Sequence, residues 1–330
     1  MNSRALTLIL AIPVSFLKYG MAWSTIEKLL SGIVSARELN LSWGVFASEF
    51  RTIYDFHVIK LHQNPVFYIN KGGTLQAMNS FISKGIRISF VDLQPESGNA
   101  HPIVLVHGFA STHKVNWVDT SWTSTLLKAG YRVIAFDNRG HGESEKLYDS
   151  KLYSPAEMAN DLINLLDHLG LSTAHVMGYS MGARIAAVAA VQHQNRLESV
   201  ILGGLGIHLV EGEGLPPGIA DALELEDGQK IHDPVQRMFR DFAERNRGDL
   251  KALAACMRGS RKGLTQDDLA QIKIPILIAV GSKDLIAGDP IRLSALIPRS
   301  NVFIIEGRDH NLAVGDRTYK AEVLDFLARQ

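Results

Sequence analysis

The chain predicts a doubly wound α/β domain, a mainly parallel sheet covered by helices on both faces, with a helical cap inserted into it. Three observations lead there. Ile103 to Val106, Arg132 to Phe136, Ala174 to Met177, Val200 to Leu202, Ile276 to Val280 and Val302 to Ile305 are short, nearly continuous apolar runs, the pattern of strands buried on both faces. Helical stretches alternate with them, and crossovers of that kind join parallel neighbours. The interval from Gly206 to Gln271 is far longer than an ordinary crossover and rich in charged, helix-favouring residues, so it reads as the cap.

Taken in order, the chain opens with Arg4, the apolar run Ala5 to Leu17, and then Gly20-Met21-Ala22, a small-x-small pattern like a cleavage site. That run is shorter than the roughly 20 residues a bilayer requires. Residues 1–22 therefore read as an export signal, as a short membrane anchor, or as a stretch upstream of the working protein, which would then be cytoplasmic. From Glu27 to about Gln76 there is neither a helical stripe nor clean alternation, and no chemistry is assigned there. The domain is expected over residues 78–330. Residues 1–77 are expected to be a targeting or anchoring extension, or to precede a true start at Met78.

Within that domain Ile86, Ile88 and Phe90 alternate with Arg87, Ser89 and Val91, a strand entered from a tight hairpin turn at Lys84-Gly85. Ser154-Pro155-Ala156-Glu157 supplies a capping serine, proline at the first helical position and a glutamate three residues on. Leu162, Ile163, Leu166 and Leu169 then share one face until Gly170. In the cap, which is taken as about 206–271, Met238, Phe239 and Phe242 have two readings, facing a pocket or packing within the cap, and the second is the commoner use of such residues.

An apolar fraction of 46% excludes a fibrous or disordered chain. Lys plus Arg and Asp plus Glu number 34 each, so no global field attracts nucleic acid, an anionic membrane or a strongly charged substrate. The expected partner is a small molecule, with a membrane only if the N-terminal segment is an anchor. Cys256 is the single cysteine, which rules out an intrachain disulfide and a cysteine-rich zinc site.

The strongest chemical signal is Gly178-Tyr179-Ser180-Met181-Gly182, set between the strand Ala174 to Met177 and an alanine-rich helix from about Met181 to Gln192. A serine hydroxyl is a weak nucleophile that must be exposed on a sharp turn, and glycines two positions away on either side let the backbone approach. Its base is expected to be His310, on a polar loop after the last strand, because imidazole titrates near neutral pH. His107 and His141 lie in glycine-rich turns before the nucleophile, and His107 reads as a brace. The orienting carboxylate is expected to be Asp284, in Gly281-Ser282-Lys283-Asp284, which gives the chain order Ser, Asp, His. Asp289 looks like a helix cap before Pro290, and Asp309 adjoins His310, where side chains diverge. Backbone N–H groups of Phe109 and Met181 are the expected oxyanion donors. Trp117 and Leu285 are candidates for the substrate pocket, with ordinary packing as the alternative for Trp117.

With these motifs, the chain resembles the α/β-hydrolase superfamily over roughly residues 78–330, at His107-Gly108-Phe109, the turn from Asp137 to Ser144, the nucleophile turn, Gly281 to Asp284 and Gly307 to His310. The run Gly182-Ala183-Arg184, with Met257 to Arg261, resembles bacterial members. The resemblance implies an α/β-hydrolase fold, a scaffold role for the Asp137 turn, and no metal or organic cofactor. It also implies that dehalogenase and epoxide hydrolase activities, which in this fold use aspartate at the nucleophile position, are disfavoured by Ser180. Carboxylic ester or lactone hydrolysis is then the expected activity, with C–C bond hydrolysis or cofactor-free perhydrolysis as rarer outcomes. A relative that only binds a ligand is the alternative of another class.

Overall fold

The computed structural model describes residues 66–69, 75–96, 100–212 and 217–330. The expectations for residues 1–22 lie outside them. The chain divides into two units, residues 1–78 and 79–330. In the first, β1 (Val66–Ile69) pairs antiparallel with the start of β2 (Leu75–Ser83), Val66 opposite Met78 and Ile69 opposite Leu75. This hairpin falls where the sequence shows no pattern, because four residues are too few to establish a period of two.

In the second unit, β2 from Asn79 onward pairs antiparallel with β3 (Ile86–Leu93). Lys84 at φ 46° and Gly85 at φ 85° make the turn between them, since two consecutive positive φ values match the right-handed twist of a two-residue hairpin. The remaining strands are β4 (Pro102–Val106), β5 (Arg132–Phe136), β6 (Ala174–Tyr179), β7 (Leu197–Gly203), β8 (Ile276–Gly281) and β9 (Ser300–Ile305). Their order across the sheet is β2-β3-β5-β4-β6-β7-β8-β9, parallel from β5 onward. Each of the six apolar runs expected to be a strand, from Ile103 to Val106 through Val302 to Ile305, lies within one of these strands.

Helices α1 (Trp122–Lys128), α2 (Pro155–His168) and α3 (Met181–Gln192) follow β4, β5 and β6. Alternation along β4 shows how both faces are covered. Val104 and Val106 join the cluster that includes Leu162 and Leu166 of α2 and Ile185 of α3, whereas Ile103 and Leu105 are equally buried but stand outside it. The start of α2 follows its sequence signal, with Ser154 Oγ accepting from Glu157 N at 3.2 Å and Pro155 at the first helical position. Gly170, at φ 66°, follows its end.

Between β7 and β8 the chain forms the short helices α4 (His208–Glu211), α5 (Ile219–Glu224), α6 (Pro234–Arg245), α7 (Leu250–Gly259) and α8 (Gln266–Ala270). Arg240 of α6 binds three carbonyl oxygens, those of Ala222, Leu223 and Leu225, and so ties α6 to the end of α5. After β8 come α9 (Pro290–Ser294), α10 (His310–Ala313) and α11 (Arg317–Ala328). Tyr319 of α11 meets Trp122 of α1 edge to face at 5.1 Å. Among the described residues no helix is long and apolar enough to cross a membrane.

Candidate active site

Strand β6 ends at Tyr179 and helix α3 begins at Met181, which leaves Ser180 alone on the turn at φ 56°, ψ −115°. Few non-glycine residues adopt such a conformation, and holding one costs about 1–3 kcal/mol that the surrounding structure must supply. The two flanking glycines show how it is held. A Cβ on Gly178 would lie 2.2 Å from Gly182 O, and one on Gly182 would lie 1.9 Å from Val106 O. The backbone closes on itself at both points, and Ser180 N–H donates to Gly203 O at 2.8 Å.

His310 Nε2 stands 2.9 Å from Ser180 Oγ, and its Nδ1 stands 2.7 Å from Asp284 Oδ2. A carboxylate accepts only, so Nδ1 carries the proton donated to Asp284 and Nε2 is left to accept from the serine hydroxyl. The Asp284 side chain is fully buried, and its other oxygen accepts from Ile286 N and Ala287 N at 2.9 and 3.0 Å. The histidine is fixed at its main chain as well, because Tyr179 Oη donates to His310 O at 2.6 Å. Burial, with Asp284 nearby, raises the Tyr179 phenol well above its ordinary value, so it remains a neutral donor. Asp289 and Asp309 spend their carboxylates on the first N–H groups of α9 and α10.

The loop after β4 runs against the nucleophile, since a Cβ on Gly108 would sit 3.4 Å from Ser180 Cβ. Phe109 follows Gly108 in this loop and lines the cavity beside Ser180. Met181 is the first residue of α3, where an N–H has no acceptor within the helix. His107 is a brace: Nδ1 lies 2.8 Å from Gly108 O, and Nε2 accepts from Asn138 N at 2.9 Å. Burial pushes this imidazole down to about 4, which keeps it neutral.

A cavity of about 80 Å³ opens beside Ser180. Phe109, Met181, Phe239, Met257 and Ile286 give it apolar walls, and Arg184 and Arg261 add two cations. Two sequence candidates for this wall are corrected. Trp117 is fully buried in the core, 6.5 Å edge-on to Trp122, and does not line the cavity. Leu285 is 92% exposed, because the turn that aims Asp284 inward sends the next side chain outward and brings Ile286 to the cavity instead. Phe239 reverses the commoner reading, facing the cavity with its ring 6.0 Å from that of Phe109, while Phe242 packs on the core. Arg184 joins the wall from the first turn of α3, and no sequence signal singled it out. Cys256, buried with its thiol pushed up to about 12, remains a thiol.

Residues 101–256 match the family model described as alpha/beta hydrolase fold. The chain is 30% identical over 278 residues to the non-heme chloroperoxidase CPO-A1 of Kitasatospora aureofaciens, covering 74% of this chain and 96% of that protein. The chain belongs to the α/β-hydrolase family. It is also 30% identical over 190 residues to epoxide hydrolase B of Mycobacterium tuberculosis, which covers 55% of this chain, and here the α/β hydrolase spans only about half, 51%, of the relative. Among solved structures, the enol-lactonase of Burkholderia xenovorans superposes with a TM-score of 0.57 at 21% identity, over 76% of this chain and 100% of that one, a likeness of fold.

Proposed function

We propose that the protein is a serine hydrolase that opens a small carboxylic ester or lactone through an acyl-enzyme, using residues 78–330 with the cap at about 206–271 as one wall of the site. The observation that carries this reading is the continuous relay from Ser180 Oγ through both nitrogens of His310 to Asp284, at 2.9 and 2.7 Å. As Oγ attacks the carbonyl carbon its proton passes to Nε2, and the buried Asp284 carboxylate stabilises the imidazolium. The Phe109 and Met181 N–H groups receive the developing oxyanion. Collapse breaks the bond to the leaving alkoxide, which takes the proton from Nε2. Water then repeats the sequence on the acyl-serine and frees the acid.

Serine at position 180 argues against the epoxide chemistry named for the mycobacterial relative. Attack of Oγ on an epoxide carbon gives an ether, with no carbonyl for water to attack, whereas an acyl-serine is hydrolysable. Similarity to a chloroperoxidase favours one second outcome at the same intermediate: hydrogen peroxide replaces water and leaves as a peracid, restoring the serine.

Labelling with a fluorophosphonate probe tests the reading and separates an enzyme from a binding protein. Labelling that disappears in Ser180→Ala supports it, and equal labelling or equal ester turnover in that variant overturns it. Aryl esters of increasing chain length, lactones and a vinylogous diketone then separate the substrate classes.

A further inference from the structure

Arg184 stands four residues after Ser180, in the first turn of α3. It lines the cavity beside the nucleophile. Its guanidinium donates to two backbone carbonyls where the cap begins, Nη2 to His208 O at 3.2 Å and Nη1 to Leu209 O at 3.4 Å. Neither acceptor is charged, and two long bonds use few of the five N–H groups an arginine carries. Among the described residues no carboxylate forms an ion pair with Arg184, and the cavity wall contains no aspartate or glutamate. Among the described residues, the other arginines with heads similarly enclosed have another solution: Arg139 is paired with Asp161 at 2.7 Å, and Arg240 with Glu244 at 2.6 Å. Arg261, beyond the end of α7, lines the same wall.

A cation partly withdrawn from water without a counter-charge is costly, and burial lowers the Arg184 guanidinium below its ordinary range, although an arginine stays protonated. Tying the cap to α3 needs only a neutral donor. A guanidinium there makes physical sense if the charge is completed by what enters the cavity, and its planar fork fits a carboxylate through two parallel N–H bonds.

We propose that the substrate carries a free carboxylate, held by Arg184, on the arm of the molecule away from the bond that Ser180 attacks. This rests on the hydrolase reading above and specifies its substrate class: the monoester of a dicarboxylic acid, or a lactone bearing a carboxylate. The balance of 34 basic and 34 acidic residues removes any long-range attraction for such an anion. Selection is therefore local, and a contact shielded from solvent is only weakly screened by salt.

Two measurements test this. Nitrophenolate release is followed for 4-nitrophenyl monoesters of α,ω-dicarboxylic acids and for the same compounds with the far carboxylate capped as a methyl ester. The protein is expected to favour the free acids by about 10- to 100-fold in kcat/KM. That ratio should fall toward one in Arg184→Met, and Arg184→Lys should keep part of it. Separately, calorimetry on Ser180→Ala should show binding of the free dicarboxylate, weakened about 10- to 100-fold when Arg184→Met is added. Equal rates on free and capped esters in the unaltered protein, or a ratio unmoved by Arg184→Met, would overturn the proposal and leave Arg184 as a strut for the cap. If every ester is inert while the dicarboxylate still binds through Arg184, the hydrolase reading falls and the anion site stands.

Discussion

Among the described residues, two aspartate–histidine pairs have nearly the same length. His310 Nδ1 lies 2.7 Å from Asp284, and His113 Nδ1 lies 2.8 Å from Asp137. They differ in what surrounds them. Asp137 also accepts from His113 N and Glu143 N, and beside it lie His107, tied to Asn138, and the buried His141. Burial pushes the Asp137 carboxyl up, but His113, His107 and the Glu143 N–H outweigh it and hold it well below the ordinary carboxylate range. In the first pair, His310 keeps part of its edge open and turns its free nitrogen to a serine hydroxyl at the cavity. The lesson is that an aspartate–histidine contact is not in itself a catalytic device. A reactive group in line and a route for substrate make it one, and without them the same contact braces a loop.

Removing one histidine from each pair should pull the two roles apart, and gives the largest effects. His310→Ala, like Ser180→Ala, should lower ester turnover by about four to six orders of magnitude, with a smaller unfolding loss than the second pair shows because His310 is partly exposed and water can reach the site it vacates beside Asp284. His113→Ala should do the opposite, costing about 3–5 kcal/mol in urea unfolding because it strands one partner of a buried pair, while the folded fraction still labels at Ser180. Similar unfolding losses in both variants would erase the distinction.

The sealed cluster also has a pH signature. His107 and His141 are lowered by burial to about 4 and about 3. Below their ordinary value near 6.5 the unfolded chain takes up protons that the folded chain refuses, so protonation favours unfolding. Their contribution is complete above pH 6.5 and is lost as the pH falls from there, toward 4 for His107 and toward 3 for His141, by an amount on the order of 3 kcal/mol for His107. Urea midpoints measured from pH 7.5 down to 4.5 should decline, with a shallower decline in His107→Gln. The smallest effect belongs to the cavity wall. Phe239→Ala should raise KM for short acyl esters by about 3- to 10-fold, the worth of a few lost apolar contacts, with little change in unfolding.

Much of this arrangement was legible in the chain, for reasons that are local. A glycine two residues either side of Ser180 is demanded by backbone atoms that would otherwise overlap, and strands buried on both faces must be apolar throughout, so both leave marks in short stretches of sequence. The order of Ser180, Asp284 and His310 follows from which strand each one succeeds. The hairpin of β1 was not legible, because a strand of four residues carries too little pattern.

What only the tertiary structure decided is the direction in which side chains face and which charges are left without partners. Trp117 and Leu285 have the right chemistry for a substrate wall, yet one is sealed in the core and the other points to solvent, while Ile286 and Phe239 occupy the wall. A turn or helix can be rotated without altering its sequence signature, and the rotation is set by packing against distant segments. Arg184 makes the same point for charge. An overall balance of zero is visible in composition, but whether a given guanidinium meets a carboxylate depends on which parts of the chain folding brings to it.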